Sequence, residues 1–180
     1  MGPFATRTEL SAEDMMADTD KALQTPTDLN SNAVKSVADA LNGALADSYA
    51  LYLKTKNFHW HVSGPHFRDY HLMLDDQATQ ILGTTDAIAE RVRKTGNTTL
   101  RSIGDIARRQ TIKDSDSEFV SAADMLAELR EDNLRLVEAF REVKDAADEA
   151  KDNATSGIVD EWTDLAEERA WFLFEASRKG

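Results

Sequence analysis

The chain has 180 residues, 33 acidic against 21 basic side chains, a net charge of −12 and no cysteine. That length makes one domain with a sizeable core, and the missing cysteines exclude disulfides, thiolate metal sites and thiol catalysis. The acidic balance argues against a broad electrostatic grip on nucleic acid and suits a protein that attracts cations.

Only 8 glycines and 3 prolines interrupt a composition rich in helix formers. Residues 1–30 are polar, hold two of the three prolines and show weak periodicity; they read as a flexible N-terminal extension ahead of a helical domain over 31–178. Helix one opens at Asn30 or Ser31, either a good N-cap. It carries Val34, Val37, Leu41, Leu45, Tyr49 and Tyr52 at spacings of three and four, and ends before Gly64-Pro65. Helix two runs from about His66 to Lys94, with Arg91, Arg93 and Lys94 in its last turn and Gly96 beyond. A long connection over 97–119 contains one short helical piece, LRSIGDIARR. Helix three begins near Ser121, which pairs with Asp124 in the manner of a capping box, and is broken by KDNATSG at 151–157. Helix four runs from about Ile158 to Ala176, with Val159, Trp162, Leu165, Ala166, Phe172 and Leu173 facing inward. Two helical hairpins joined by one long crossover with a short extra helix is an all-α, ferritin-like four-helix-bundle pattern. No apolar run approaches ~18 residues and nothing signal-like follows Met1, so the expectation is a soluble cytoplasmic protein with no membrane partner.

All four histidines lie between positions 59 and 71. The Gly64-Pro65 turn folds helix one back on helix two, so residues equidistant from position 65 become neighbours, and His59 meets His71. His61 lies roughly 200° around the helix from His59 and His66 sits in the turn, so both read as solvated or supporting residues. On helix two, His71, Asp75, Asp86 and Glu90 fall at roughly 0°, 40°, 60° and 100°, one stripe of ligand-type side chains. The His71/Asp75 pair is nevertheless ~22 Å along the axis from the Asp86/Glu90 pair, too far for one metal within one chain. The pairs 71/90 and 75/86 share a midpoint between residues 80 and 81. A second copy of helix two packed antiparallel about that point sets His71 against the partner helix at position 90, and Asp75 against position 86. Ala78, Thr79, Leu82 and Gly83 lie between the pairs, mostly small, and permit a close approach. Each of two equivalent sites would then combine His59, His71 and Asp75 of one chain with Asp86 and Glu90 of the other. Two imidazoles with carboxylates and no thiolate suit Fe(II), with zinc as a substitute. Glu-x-x-His occurs nowhere, which excludes the usual di-iron centre inside a single bundle.

The stretch KNFHWHVSGPHFRDYHLMLDDQA followed by TTDAIAERV resembles the signature of the Dps family, the mini-ferritins. The similarity extends over residues 30–178, including TLRSIGDIAR in the connection and ERAWFLFEAS in helix four. The resemblance implies that the five matching residues form a ferroxidase centre at a dimer interface. It further implies a dodecameric hollow shell that oxidises Fe(II), preferably with hydrogen peroxide, stores the ferric mineral inside and protects the cell, DNA included, from oxidative damage. Trp60 matches the family tryptophan beside the centre, in a supporting or merely packing role. The stretch 142–153 lies where such shells have three-fold pores, which makes Asp148 and Asp152 candidates for the route by which iron enters. Relatives that compact DNA use a lysine-rich tail, whereas residues 1–35 here carry three positive and six negative side chains. Direct DNA binding, and with it a place at the nucleoid, is therefore the less favoured expectation.

Overall fold

The computed structural model describes residues 22–178, and every regular element in that range is helical. Among the described residues the helices are α1 (Ser31–His61), α2 (Phe67–Lys94), α3 (Ile103–Arg109), α4 (Ala122–Ala150) and α5 (Asn153–Ala176). Hairpin α1/α2 and hairpin α4/α5 pack together chiefly through α1 and α4, while α2 and α5 barely touch. The result is the four-helix bundle expected, with α3 riding on α1.

Each boundary has a local cause. Asn30 caps α1 by accepting the amides of Asn32 and Ala33 at 3.0 and 3.4 Å. The turn to α2 uses Gly64 at φ 114°, a conformation in which a Cβ would be strained. Ser121 accepts the amide of Asp124 at 3.2 Å and donates to its carboxylate at 2.6 Å, closing the start of α4. Inside, Leu41, Leu45, Leu51, Phe58, Leu74, Ile81, Ile88, Leu129, Leu136, Phe140 and Leu173 are fully buried. These residues recur at helical spacing on α1, α2, α4 and α5.

The crossover is fastened by a polar stripe on α1. Asn42 donates to the Thr98 carbonyl at 3.1 Å, and the buried Asp47 accepts the amide of Ile112 at 3.1 Å and the hydroxyl of Thr111 at 2.8 Å. Lys54 and Asn57 donate to the carbonyls of Lys113 and Ser115, both at 3.2 Å. A loop that would otherwise leave buried backbone groups unpaired is thereby satisfied by α1 side chains.

Two boundaries differ from the sequence-based expectation. Residues 22–30 pack beside the end of α2, where Arg93 donates to the Leu23 carbonyl at 2.7 Å, so this part of the expected extension is attached; residues 1–21 lie outside the described range. The α4/α5 break is also much shorter than KDNATSG. Lys151 alone takes the left-handed conformation (φ 58°), Asp152 caps the next helix on the Thr155 amide at 3.0 Å, and Asn153 to Gly157 are already helical.

Asp152 is buried to 2% side-chain exposure, accepts a 2.6 Å bond from Arg91 and is also bonded by the Thr155 hydroxyl. Burial alone would raise its pKa, but Arg91 and the two Thr155 bonds outweigh burial and hold the carboxyl below its ordinary value. Asp152→Ala takes the carboxylate from a half-buried guanidinium and removes a cap, so we expect a loss of about 2–4 kcal/mol, measured by denaturant unfolding. A folded pKa below the unfolded one means that the wild-type advantage is full above the ordinary aspartate range and fades as pH falls through the lowered value. An advantage that instead grew on acidification would contradict the assignment.

Candidate metal site at the hairpin end

The α1/α2 hairpin brings His59 and His71 together, their rings stacked 3.8 Å apart and inclined by 21°. The Nδ1 of His59 lies 2.7 Å from the His71 carbonyl, and the Nδ1 of His71 lies 2.9 Å from the His59 carbonyl. A carbonyl oxygen can only accept, so both Nδ1 atoms carry hydrogen, which leaves Nε2 of each ring as the atom able to offer a lone pair. This reciprocal lock fixes tautomer and orientation, as backbone carbonyls commonly do for metal-ligating imidazoles. His59 is buried at 7% exposure and His71 is half-buried.

Asp75, one turn after His71, places Oδ1 3.9 Å from the Nε2 of His59. With bonds of roughly 2.0–2.2 Å, a metal touching both atoms would subtend an angle wider than tetrahedral, so the pair would have to draw closer around an ion. Lys56 reaches the same Oδ1 at 2.7 Å and holds the Asp75 carboxyl below its ordinary pKa, chiefly through that hydrogen bond. Its ammonium also lies 5.8 Å from the centre of the Trp60 ring, which is 58% exposed. The internal cation Lys56 was not among the residues singled out from the sequence.

Asp86 and Glu90 stand exposed further along α2, Glu90 meeting only Lys94 at 3.0 Å. Among the described residues of one chain, no three His, Asp or Glu side chains converge to hold a metal. The chain thus brings His59, His71 and Asp75 to one end of α2 and leaves Asp86 and Glu90 at the other. Between them Ala78 is buried against its own bundle, whereas Thr79, Leu82 and Gly83 are exposed. A Cβ at Gly83 would meet nothing within 4 Å. Gly83→Leu is therefore expected to leave the bundle's circular dichroism unchanged. If α2 packs on a second copy here, the same substitution shifts the protein to a smaller species in light scattering; an unchanged assembly would move the helix contact elsewhere.

The remaining residues divide clearly. His61 donates from Nδ1 to the Asn57 carbonyl at 2.7 Å and is otherwise exposed, and His66 is exposed with its ring 5.7 Å from that of Tyr70. Asp148 is exposed. Asp152 is not: its carboxylate is consumed by Arg91 and Thr155, which corrects its reading as a pore acid. No helix among the described residues is long and apolar enough to cross a membrane.

Comparison with known proteins agrees with this architecture. Residues 38–179 match the ferritin-like domain family. A low temperature-induced protein of Nostoc sp. is 36% identical over 140 residues, covering 77% of this chain and 78% of that protein. The DNA protection during starvation protein of Agrobacterium fabrum is 34% identical over 153 residues, covering 85% and 94%. The crystal structure of a Dps protein from Bacillus brevis superposes with a TM-score of 0.79 at 31% identity, covering 83% of this chain and all of that one. By fold and by sequence together, the chain belongs to the Dps family of ferritin-like proteins.

Proposed function

We propose that this protein is a ferroxidase that oxidises Fe(II), with hydrogen peroxide as preferred oxidant, at sites shared between two chains, and stores the ferric product in a hollow, dodecameric shell. The observation that supports the reading is the His59/His71 lock, which turns the Nδ1 atoms of two imidazoles to backbone carbonyls and leaves their Nε2 atoms for a metal, with Asp75 one turn away. Fe(II) is the substrate. His59, His71 and Asp75 hold the more tightly bound ion, Asp86 of the second chain reaches toward a weaker position, and Glu90 closes the shell of ligands. Two Fe(II) ions give up one electron each, and peroxide takes both electrons with two protons to become two waters, so no hydroxyl radical is released. Zinc fits the same nitrogen and oxygen donors but transfers no electron, and acts as an inhibitor.

Among the described residues, no three His, Asp or Glu side chains gather in the bundle interior. A guanidinium, Arg169, sits there among the amide side chains of Gln80 and Asn133. DNA is not proposed as a partner, since residues 1–35 carry six acidic against three basic side chains.

The test is stopped-flow absorbance on metal-free protein given Fe(II) without oxygen and then a half-equivalent of peroxide. Oxidation is expected to outrun both the protein-free control and the reaction with oxygen. Rates equal to the protein-free control would refute the proposal.

Lys56 sets the affinity of the site, because its ammonium occupies the carboxylate oxygen that a metal needs. Lys56→Met should tighten Co(II) binding by roughly tenfold, by freeing the carboxylate oxygen that the ammonium holds. Weaker binding, read from the cobalt absorption bands, would instead make Lys56 a support of the site.

A further inference from the structure

The side of α2 facing away from His71 and Asp75, about 150° around the helix, borders a groove that this reaction does not use. The groove lies between α2 and α5 and encloses about 390 Å³. Its walls are apolar, with Leu72, Met73 and Phe172, and both Leu72 and Phe172 are more than 40% exposed.

Its floor is unusual. Arg169 is buried to 3% exposure, yet its bonds run to neutral amides, from Nε to Asn133 Oδ1 at 2.7 Å and from Nη1 to Gln80 Oε1 at 2.6 Å. No carboxylate among the described residues lies within ion-pair distance of it. Removal from water pulls its pKa down to about 10, with Glu168 at the rim offsetting part of that cost. Beside it, Gln77 donates through Nε2 to the Arg169 carbonyl at 3.3 Å, while its Oε1, buried in a side chain 5% exposed, accepts no hydrogen bond. Natural proteins rarely leave a buried charge without a counter-charge or a buried acceptor without a donor. At the mouth stand three exposed acids, Asp69, Asp76 and Glu168.

We infer that this groove is a binding site for a small zwitterion, an α-amino acid with an apolar side chain. The charge order selects this class. An anionic group is needed to meet Arg169, but a simple anion would be repelled by three carboxylates at the mouth. A simple cation suits the mouth and is repelled by the floor. A carboxylate drawn toward Arg169, an ammonium under the acidic rim, and an apolar side chain against Leu72 and Phe172 match each part of the groove. The volume falls within the range of small-molecule pockets, and a few converging polar groups in an apolar cleft are their usual mark.

The experiment is titration calorimetry of the assembled protein with L-leucine, its methyl ester, which lacks the carboxylate, and N-acetyl-L-leucine, which lacks the ammonium. Leucine should bind saturably, and each blocked derivative at least about tenfold more weakly. Asp76→Asn and Glu168→Gln change exposed side chains and should weaken leucine without weakening the acetylated compound. Arg169→Met should abolish leucine binding, and if that variant fails to fold, the two rim variants decide. Equal binding of leucine and N-acetyl-leucine would overturn the inference in favour of a plain anion site. Absence of saturable leucine binding, or binding indifferent to both rim variants, would overturn it outright.

Discussion

Replacing either His59 or His71 with alanine should abolish rapid peroxide-driven iron oxidation, with a loss of about a hundredfold or more in initial rate. Loss of groups that merely support a metal ligand already costs roughly 10–100-fold, and removing the ligand itself costs at least as much. The two histidines depend on one another, since each ring is positioned by the other's carbonyl at 2.7 and 2.9 Å. Either substitution therefore removes one ligand and one of the two stacked rings, while the backbone carbonyl that orients the remaining imidazole stays in place. The fold should survive, because the lost hydrogen bond is worth only about 1 kcal/mol against a core spread over four helices. Stopped-flow absorbance reads the rate and circular dichroism the fold. Near wild-type rates in both variants would remove these histidines from the site.

Much of this was legible in the sequence, for reasons that are themselves physical. The Gly64-Pro65 turn makes hairpin neighbours computable by symmetry about position 65, which is how His59 and His71 are matched before any coordinates. The same rule sets position 56 against 74 and so brings Lys56 within a residue of Asp75, so the ion pair at 2.7 Å had a readable signal. Attention to ligand-type residues alone passed over a lysine. Arg169 had a signal as well. Val159, Trp162, Ala166, Arg169 and Leu173 follow one another at spacings of three, four, three and four, so a charged residue occupies a core position. The amide pair Gln80 and Asn133 that accommodates it comes from two other helices, invisible to local pattern.

The start of α5 was misplaced because Asn153 and Gly157 are poor helix formers, and their combined preference suggested a loop. Asp152 reverses this by capping the helix while paired with Arg91 from α2, a contact 61 residues distant in sequence. The attachment of residues 22–30 is likewise non-local, resting on the bond from Arg93 to the Leu23 carbonyl.

The shared site is the central claim, and subunit mixing tests it most directly. Asp75→Ala and Glu90→Ala are each expected to be inactive, since every site lacks one ligand. In a dimer of one chain of each kind, one site carries both lesions and the other carries none. Dissociating the two variants together and reassembling them should therefore restore activity. With random pairing half the dimers are mixed, each with one of two sites intact, so roughly a quarter of the wild-type rate should return. A site built within one chain stays damaged in every chain and recovers nothing. Failure to regain activity above that of the separate variants, with subunit exchange demonstrated by mass spectrometry, would contradict the account.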